Sequence, residues 1–335
     1  MKETLSSIAA RTGFSISTVS RVLSGNAEKF RISRDTVERI LADARSCNYS
    51  PSLIAQSLRT NRTNTIGLLL PSLSNPYFAE MASVIIREVN SRDCTTIVMD
   101  TMEDEKNFNS SASLLLSRRV DGIIAVPCGK NPSVMEGIDR DYLPVVLVDR
   151  YYDGAALSYV TTNNYQGGAE GTRHMISAGH RRIACIQGVR DSSPNAERVR
   201  GYLDAMEESG LGSLAEVVGD DFSIQNGYLE TKLLLERKDR PTAIFALSNT
   251  ISLGVLKAVR EAGLDIPEDI SLLAFDDYAY MDYLNPPLTR ISQPVEDMAK
   301  LATKLLFDRI GGNGAGNTSQ IKLAPALISG ASVKH

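Results

Sequence analysis

Residues 4–23 read TLSSIAARTGFSISTVSRVL, and the spacing of their apolar side chains sets how the rest of the chain is read. Leu5, Ile8 and Ala9 recur at helical spacing, which predicts an amphipathic helix with Thr4 as its N-cap. Gly13 is free to take a left-handed conformation, stop that helix and turn the chain. Ser15 is placed to cap a second helix whose buried face holds Val19, Val22 and Leu23. The opposite face carries Ser17, Thr18, Ser20, Arg21 and Ser24. Two short helices joined by a glycine turn predict a helix-turn-helix, whose second helix enters the DNA major groove. Hydroxyls suit phosphate oxygens, and an arginine fork suits O6 and N7 of guanine. The same pattern also fits a polar helix hairpin with a solvated face.

The residues that follow extend this unit. After Gly25 comes a loop, NAEKFR, with Lys29 and Arg31. Ser33 then caps a third helix in which Val37, Ile40, Leu41 and Ala44 share a face. Ser50-Pro51 is a cap followed by a proline at the first helical position, so PSLIAQSLR is expected to be a short helix. A helix of about two turns is marginal alone, so it is expected to form against a second copy or against DNA. Ile54, Ala55 and Leu58 lie on one side of it, where an apolar residue can wedge between base steps of the minor groove. An ordinary linker with incidental leucines is the alternative.

From Thr65 the rhythm changes. Apolar runs at 66–71, 96–100, 122–127 and 144–149 alternate with helical patterns at 78–92, 107–119 and 132–141. The alternation repeats with runs at 159–163, 183–188, 216–220, 243–248 and 270–277, and helices at 165–178, 195–209, 224–237 and 250–262. A last helix at 295–310 and the apolar pieces QIKLA and ALISGASV close the chain, with GGNGAGN a loop by composition. Val/Ile/Leu strands alternating with helices predict parallel sheets covered on both faces, here in two lobes with a cleft between them.

Composition sets bounds on function. A chain of 335 residues is too long for one core. Four well-separated cysteines (Cys47, Cys94, Cys128, Cys185) and three histidines suggest no disulfide framework and no metal site. No signal peptide or membrane span is read, so a cytoplasmic location is expected. Residues 1–62 hold ten Lys/Arg against five Asp/Glu, whereas the rest carries a net charge of −9. A basic head on an acidic body suits a polyanionic partner. No HExxH, GxSxG or P-loop spacing is present, so neither catalysis nor a cofactor is expected. Gly167, Gly168 and Gly171 only faintly resemble a dinucleotide loop and are expected to serve packing.

Polar and aromatic residues recur just after strands: Asn75, Tyr77, Phe78, Asp149, Arg150, Arg198, Phe222, Ser248, Asp276 and Gln293. Ligands of parallel sheets sit beyond strand carboxyl ends. Rings there can stack on the apolar face of a sugar while the polar groups bond its hydroxyls. Any one of these residues could equally be a loop polar group or a surface ion pair.

At this point the chain resembles the lactose/galactose repressor family of bacterial transcription regulators over nearly its whole length. The match is carried by TLSSIAARTGFSISTVSRVLSG, NYSPSLIAQSLR, TIGLLLPSLSNPYF, RRVDGIIA, SAGHRRIACIQG, AERVRGY, RPTAIFAL, PEDISLLAFDD and PPLTRISQP. The resemblance implies an all-α helix-turn-helix head (1–48), a hinge helix and linker (49–62) and a two-lobed α/β effector domain (63–335). That domain is also similar to periplasmic sugar-binding proteins, with lobes expected at 63–162 plus 292–325 and at 163–291 plus 326–335. It implies a homodimer on a near-palindromic double-stranded operator. A small effector would set the affinity; Phe222, Asp276 and Arg198 favour a sugar or sugar derivative, with a purine or a protein co-regulator as the alternatives that the family offers.

By position, the resemblance puts Ile16, Ser17 and Arg21 against bases and Thr4, Ser15 and Ser20, with Thr18 beside them, toward phosphates. Ala55 and Leu58 would enter the minor groove, and Lys29 would add a contact from a loop longer than usual for the family. Ser248-Asn249 replaces a common Asn-Asp, and Thr162-Asn163 stands where an acidic residue often precedes the asparagine. A sugar-binding protein, or an enzyme domain with an autoregulatory DNA-binding head, are the alternative readings.

Overall fold

Thr4 opens the first helix, α1 (Leu5–Thr12), through a capping box: its hydroxyl accepts from Ser7 N, and Ser7 Oγ accepts from Thr4 N. A computed structural model describes residues 3–47, 49, 62–312 and 318–334 of this chain. Gly13 ends α1 at φ 76°, the left-handed conformation that a side chain would strain. Ser15 caps α2 (Ile16–Leu23) and Ser33 caps α3 (Arg34–Ser46), each accepting from the N–H three residues on. Ile8, Ala9, Val19, Val22, Ile40 and Ala44 form the core of this small unit. The hinge segment, with Ala55 and Leu58, lies outside the described residues.

Residues Asn64–His335 form a second unit, separate from Met1–Thr63. Its first sheet is built from β1 (Thr65–Leu70), β2 (Thr95–Asp100), β3 (Gly122–Ala125), β4 (Val145–Val148), β5 (Ser158–Thr162) and β11 (Gln320–Leu323). The strand order is β11-β5-β4-β3-β1-β2, parallel throughout, with Leu68 opposite both Val98 and Ile124. Helices α4 (Pro76–Asn90), α5 (Glu105–Ser117), α6 (Ser133–Asp141) and α11 (Val295–Ile310) flank it. Side-chain alternation divides its core in two. Ile66, Leu68 and Leu70 pack with Met81, Met298 and Leu306, while Leu69 and Ile123 pack with Phe108 and Leu115.

The second sheet repeats that plan. It contains β6 (Ile183–Ile186), β7 (Glu216–Val218), β8 (Ala243–Ala246), β9 (Ser271–Phe275), β10 (Thr289–Ser292) and β12 (Ala326–Ile328), in the order β12-β10-β9-β8-β6-β7. Helices α7 (Asn164–Ser177), α8 (Ser193–Glu208), α9 (Ile224–Leu235) and α10 (Asn249–Glu261) belong to this lobe. β3, β4, β6, β8 and β9 are buried at every residue, as central strands covered on both faces require. Edge strand β11 alternates between exposed and half-buried residues instead, and edge strand β2 is half-buried with exposed ends.

Two details differ from the expectation of wholly parallel sheets split at residue 292. β12 runs antiparallel to β10, because the chain re-enters the second sheet directly from β11 without a crossover helix. Ser292 still pairs within the second sheet, opposite Ala326. The chain thus passes between lobes after β5, after β10 and between β11 and β12.

Candidate effector cleft and nucleic-acid interface

The two sheets end in matching aspartates. Asp149 follows β4 and Asp276 follows β9, the equivalent strand of the other lobe. Both take left-handed backbone conformations, φ 66° and 77°, which are uncommon away from glycine and cluster at functional sites. The conformation is held by the next strand: Asp149 N donates to Val160 O and Asp276 N to Ile291 O, each at 2.9 Å. Both side chains are nearly buried, at 4% and 5% exposure.

Hydrogen bonds join these carboxylates across the cleft. Tyr77 donates its hydroxyl to Asp149 Oδ1 at 2.8 Å, with Gln293 Oε1 3.3 Å away. Thr162 donates to Gln293 Oε1 at 2.8 Å, which fixes the amide so that its Nε2 donates to Asp276 Oδ1 at 2.6 Å. Asn249 N, in the first turn of α10, donates to the other oxygen of Asp276 at 3.0 Å. The chain Asp149–Tyr77–Gln293–Asp276 therefore links the first lobe, a crossover and the second lobe.

Two arginines complete the polar lining. Arg198, on α8, donates from Nε to Asn164 Oδ1 at 2.7 Å and from one terminal nitrogen to Leu247 O at 2.8 Å. Its guanidinium lies 3.7 Å from the centre of the Phe275 ring. Arg150 grips Glu103 through both terminal nitrogens, at 2.7 and 2.8 Å, between the rings of Phe78 and Phe222. Burial pushes the Asp149 carboxyl above its usual range, against the pull of Arg150 and Arg198. Burial and the Asp149 charge hold the Tyr77 hydroxyl well above the usual phenol value. Burial pulls Arg198 down, and it opposes the Arg150 charge too, but there Glu103 more than offsets it.

These groups line a small cavity of about 30 Å³. It is lined by Asn75, Tyr77, Phe78, Asp149, Arg150, Arg198, Phe222, Ser248, Asp276 and Gln293, all ten of the strand-end residues singled out above. Ser192 and Pro194 line it as well. Asn75, Ser192 and Ser248 are the N-caps of α4, α8 and α10, so three helix N-termini meet here. Their exposed N–H ends favour the two carboxylates. Sequence reading missed Ser192, Pro194 and the supporting groups Glu103, Asn164 and Thr162. Glu103 follows a strand end, the feature that identified the others, and Asn164 opens α7.

In the N-terminal unit, Ile16 is 51% exposed, and Ser17, Arg21 and Lys29 are also exposed, while Thr18 and Ser20 are half-buried. Thr4 and Ser15 accept backbone N–H groups as caps, and Ser15 Oγ lies 2.8 Å from both Ser17 Oγ and Thr18 Oγ1. Of the hydroxyls expected at phosphates, Ser15 and Thr18 are thus already joined to each other and to the start of α2. Arg21 stacks 4.0 Å above the Phe30 ring, a partner on the loop that sequence reading did not identify. Among the described residues no His/Cys/Asp/Glu group could hold a metal ion, and no helix is long and apolar enough to cross a membrane.

Both units resemble known proteins. Residues 4–52 match the bacterial regulatory proteins of the lacI family, and residues 172–333 match a periplasmic binding protein-like domain. The chain is 33% identical over 312 residues to the ribose operon repressor of Escherichia coli K12, covering 92% of this chain and 93% of that one. It superposes on the lac repressor dimer bound to operator and the anti-inducer ONPF with a TM-score of 0.90, at 23% identity and full coverage of both chains. A LacI family transcriptional regulator from Enterococcus faecium with bound ribose gives a TM-score of 0.73 at 26% identity, covering 81% of this chain and 98% of that one.

Proposed function

This chain belongs to the lacI family of bacterial regulatory proteins, and on that premise we propose that it is a sequence-specific DNA-binding repressor controlled by a small effector. The effector is a sugar or sugar derivative held between the two lobes. One observation carries this reading: ring faces, two arginines and two left-handed aspartates converge from both lobes on one cavity. Such a lining offers apolar faces to carbon and donors and acceptors to hydroxyls. The bound sugars and operator named for the relatives point the same way.

The head spans 1–48, the hinge 49–62 and the effector domain 63–335. In the head, Ile16, Ser17 and Arg21 read bases, Thr4, Ser15, Thr18 and Ser20 hold phosphates, and Lys29 adds a contact. Ala55 and Leu58 enter the minor groove. Two copies read one half-site each of a near-palindrome, because a two-fold protein matches a two-fold site. The chain is a regulator and not an enzyme, and it works in the cytoplasm, on the nucleoid when bound. Its DNA target supports that location.

The test uses the full chain and duplexes from upstream of its own operon. Fluorescence anisotropy is expected to show tight binding by a dimer, with affinity falling as salt rises. A stabilising sugar, found by thermal shift, is expected to change that affinity by about 5–150-fold. Equal binding to every duplex, or no response to any sugar, sinks the reading.

A further inference from the structure

Met102 and Glu103 follow β2, and both take left-handed conformations at φ 55°. Two such residues in succession, neither of them glycine, are held only where the surroundings over-determine them. The turn delivers the Glu103 carboxylate to Arg150 in a fork-to-fork pair, with both oxygens bonded to both terminal nitrogens. The Arg150 guanidinium is nearly buried, at 5% exposure, while the Glu103 carboxylate that it holds is one-third exposed. That paired edge of the guanidinium is the one a phosphate would use.

The second cation is partly committed, with only its Nη2 left without a bond among the described residues. Arg198 already donates to Asn164 and to the Leu247 carbonyl. Around the cavity, three carboxylates (Asp149, Asp276, Glu103) face two guanidinium groups, so the formal balance is one negative charge. A phosphate monoester would bring a charge of about −1.5 to −2 into that enclosure. An uncharged polyol asks only for hydrogen-bonding atoms and ring faces.

We propose that Glu103 is a specificity-determining residue which, by occupying the fork of Arg150, makes the cleft take an uncharged sugar and refuse its phosphate ester. This rests on the reading of the cleft as the effector site. Glu103 does not line the cavity and acts through Arg150, so it is a positioning residue.

The experiment titrates the full chain by calorimetry with D-ribose, D-glucose, D-galactose and D-fructose and with the phosphate monoester of each. In the wild type the best neutral sugar is expected to bind about a hundredfold tighter than its ester, since a buried charge without a partner is strongly rejected. Glu103→Gln keeps the shape and frees the fork, so the ratio is expected to shrink by about tenfold, through a gain for the ester. A wild type that binds ester and sugar equally, or prefers the ester, overturns the proposal even if the variant does not fold. So does a folded variant that loses both affinities in proportion, which would be a purely structural effect. If no sugar of either kind binds while operator binding is intact, the effector reading itself fails and takes this inference with it.

Discussion

Asp149 sits in a place that disfavours its charge. Burial is the main reason its pKa stands above the ordinary carboxylate value. The folded chain then binds this proton more tightly than the unfolded one. The resulting stabilisation is complete below the ordinary carboxylate pKa and lost as pH rises through the raised one. Asp149→Asn removes the charge, keeps an oxygen for Tyr77, and tolerates the left-handed backbone. Its melting temperature is expected to exceed wild type by about 2–4 °C at neutral pH, to match it in acid, and its sugar response to vanish. A neutral-pH melting temperature at or below wild type refutes the cost assigned to the buried charge. At the other site, Arg21→Ala is expected to remove discrimination between operator and random duplex while leaving weak, salt-sensitive binding. A gel-shift series with unchanged preference refutes that role. Ten of the twelve lining residues were legible because they lie just beyond strands, where a parallel sheet leaves its ligand site. Glu103 and Phe30 were not, because their partners Arg150 and Arg21 meet them only through the turn of the chain.

Helices α7 and α8 place Arg198, and they do so by approaching too closely for any side chain between them. A Cβ on Gly168 would stand 2.2 Å from the Arg198 carbonyl oxygen, and one on Gly201 2.2 Å from that of Tyr165. Gly168→Ala therefore moves the backbone that carries Arg198. The expected cost is about 1–3 kcal/mol, read as a lower melting temperature, together with weaker sugar binding by calorimetry. Gly137→Ala is the control: its site on α6 is open, and removing a helical glycine is expected to add about 0.5–1 kcal/mol with sugar binding unchanged. Equal effects of the two substitutions contradict the close-packing account. Most helix and strand bounds in the second unit fell within two residues of those read from periodicity, but β10 was not among the apolar runs read and β12 is shorter than the apolar piece ALISGASV. The differences lie at helix starts such as Asn75-Pro76, where a cap and an N1 proline precede the first apolar residue, and at element ends, where the apolar pattern outlasts the paired or helical residues. The antiparallel β12 was not legible, since a three-residue apolar run carries no sign of direction.

At the scale of the whole molecule, charge and linkage are the quantities to measure. The basic first 62 residues and the acidic remainder orient the chain toward a polyanion, which makes association salt-dependent without naming a sequence. Control by effector is a separate matter. A sugar alters DNA affinity only to the extent that it binds the DNA-competent and DNA-incompetent arrangements differently. The Asp149–Tyr77–Gln293–Asp276 chain gives it that means, because its bonds span both lobes and a crossover. Linkage then demands reciprocity: the factor by which saturating sugar changes the operator Kd must equal the factor by which saturating operator changes the sugar Kd. Anisotropy supplies the first factor and calorimetry on the operator-bound dimer the second, both expected at about 5–150-fold. Two unequal factors would mean that a third species, such as free monomer, takes part. Two factors of one would mean that the cleft and the helix-turn-helix are not coupled.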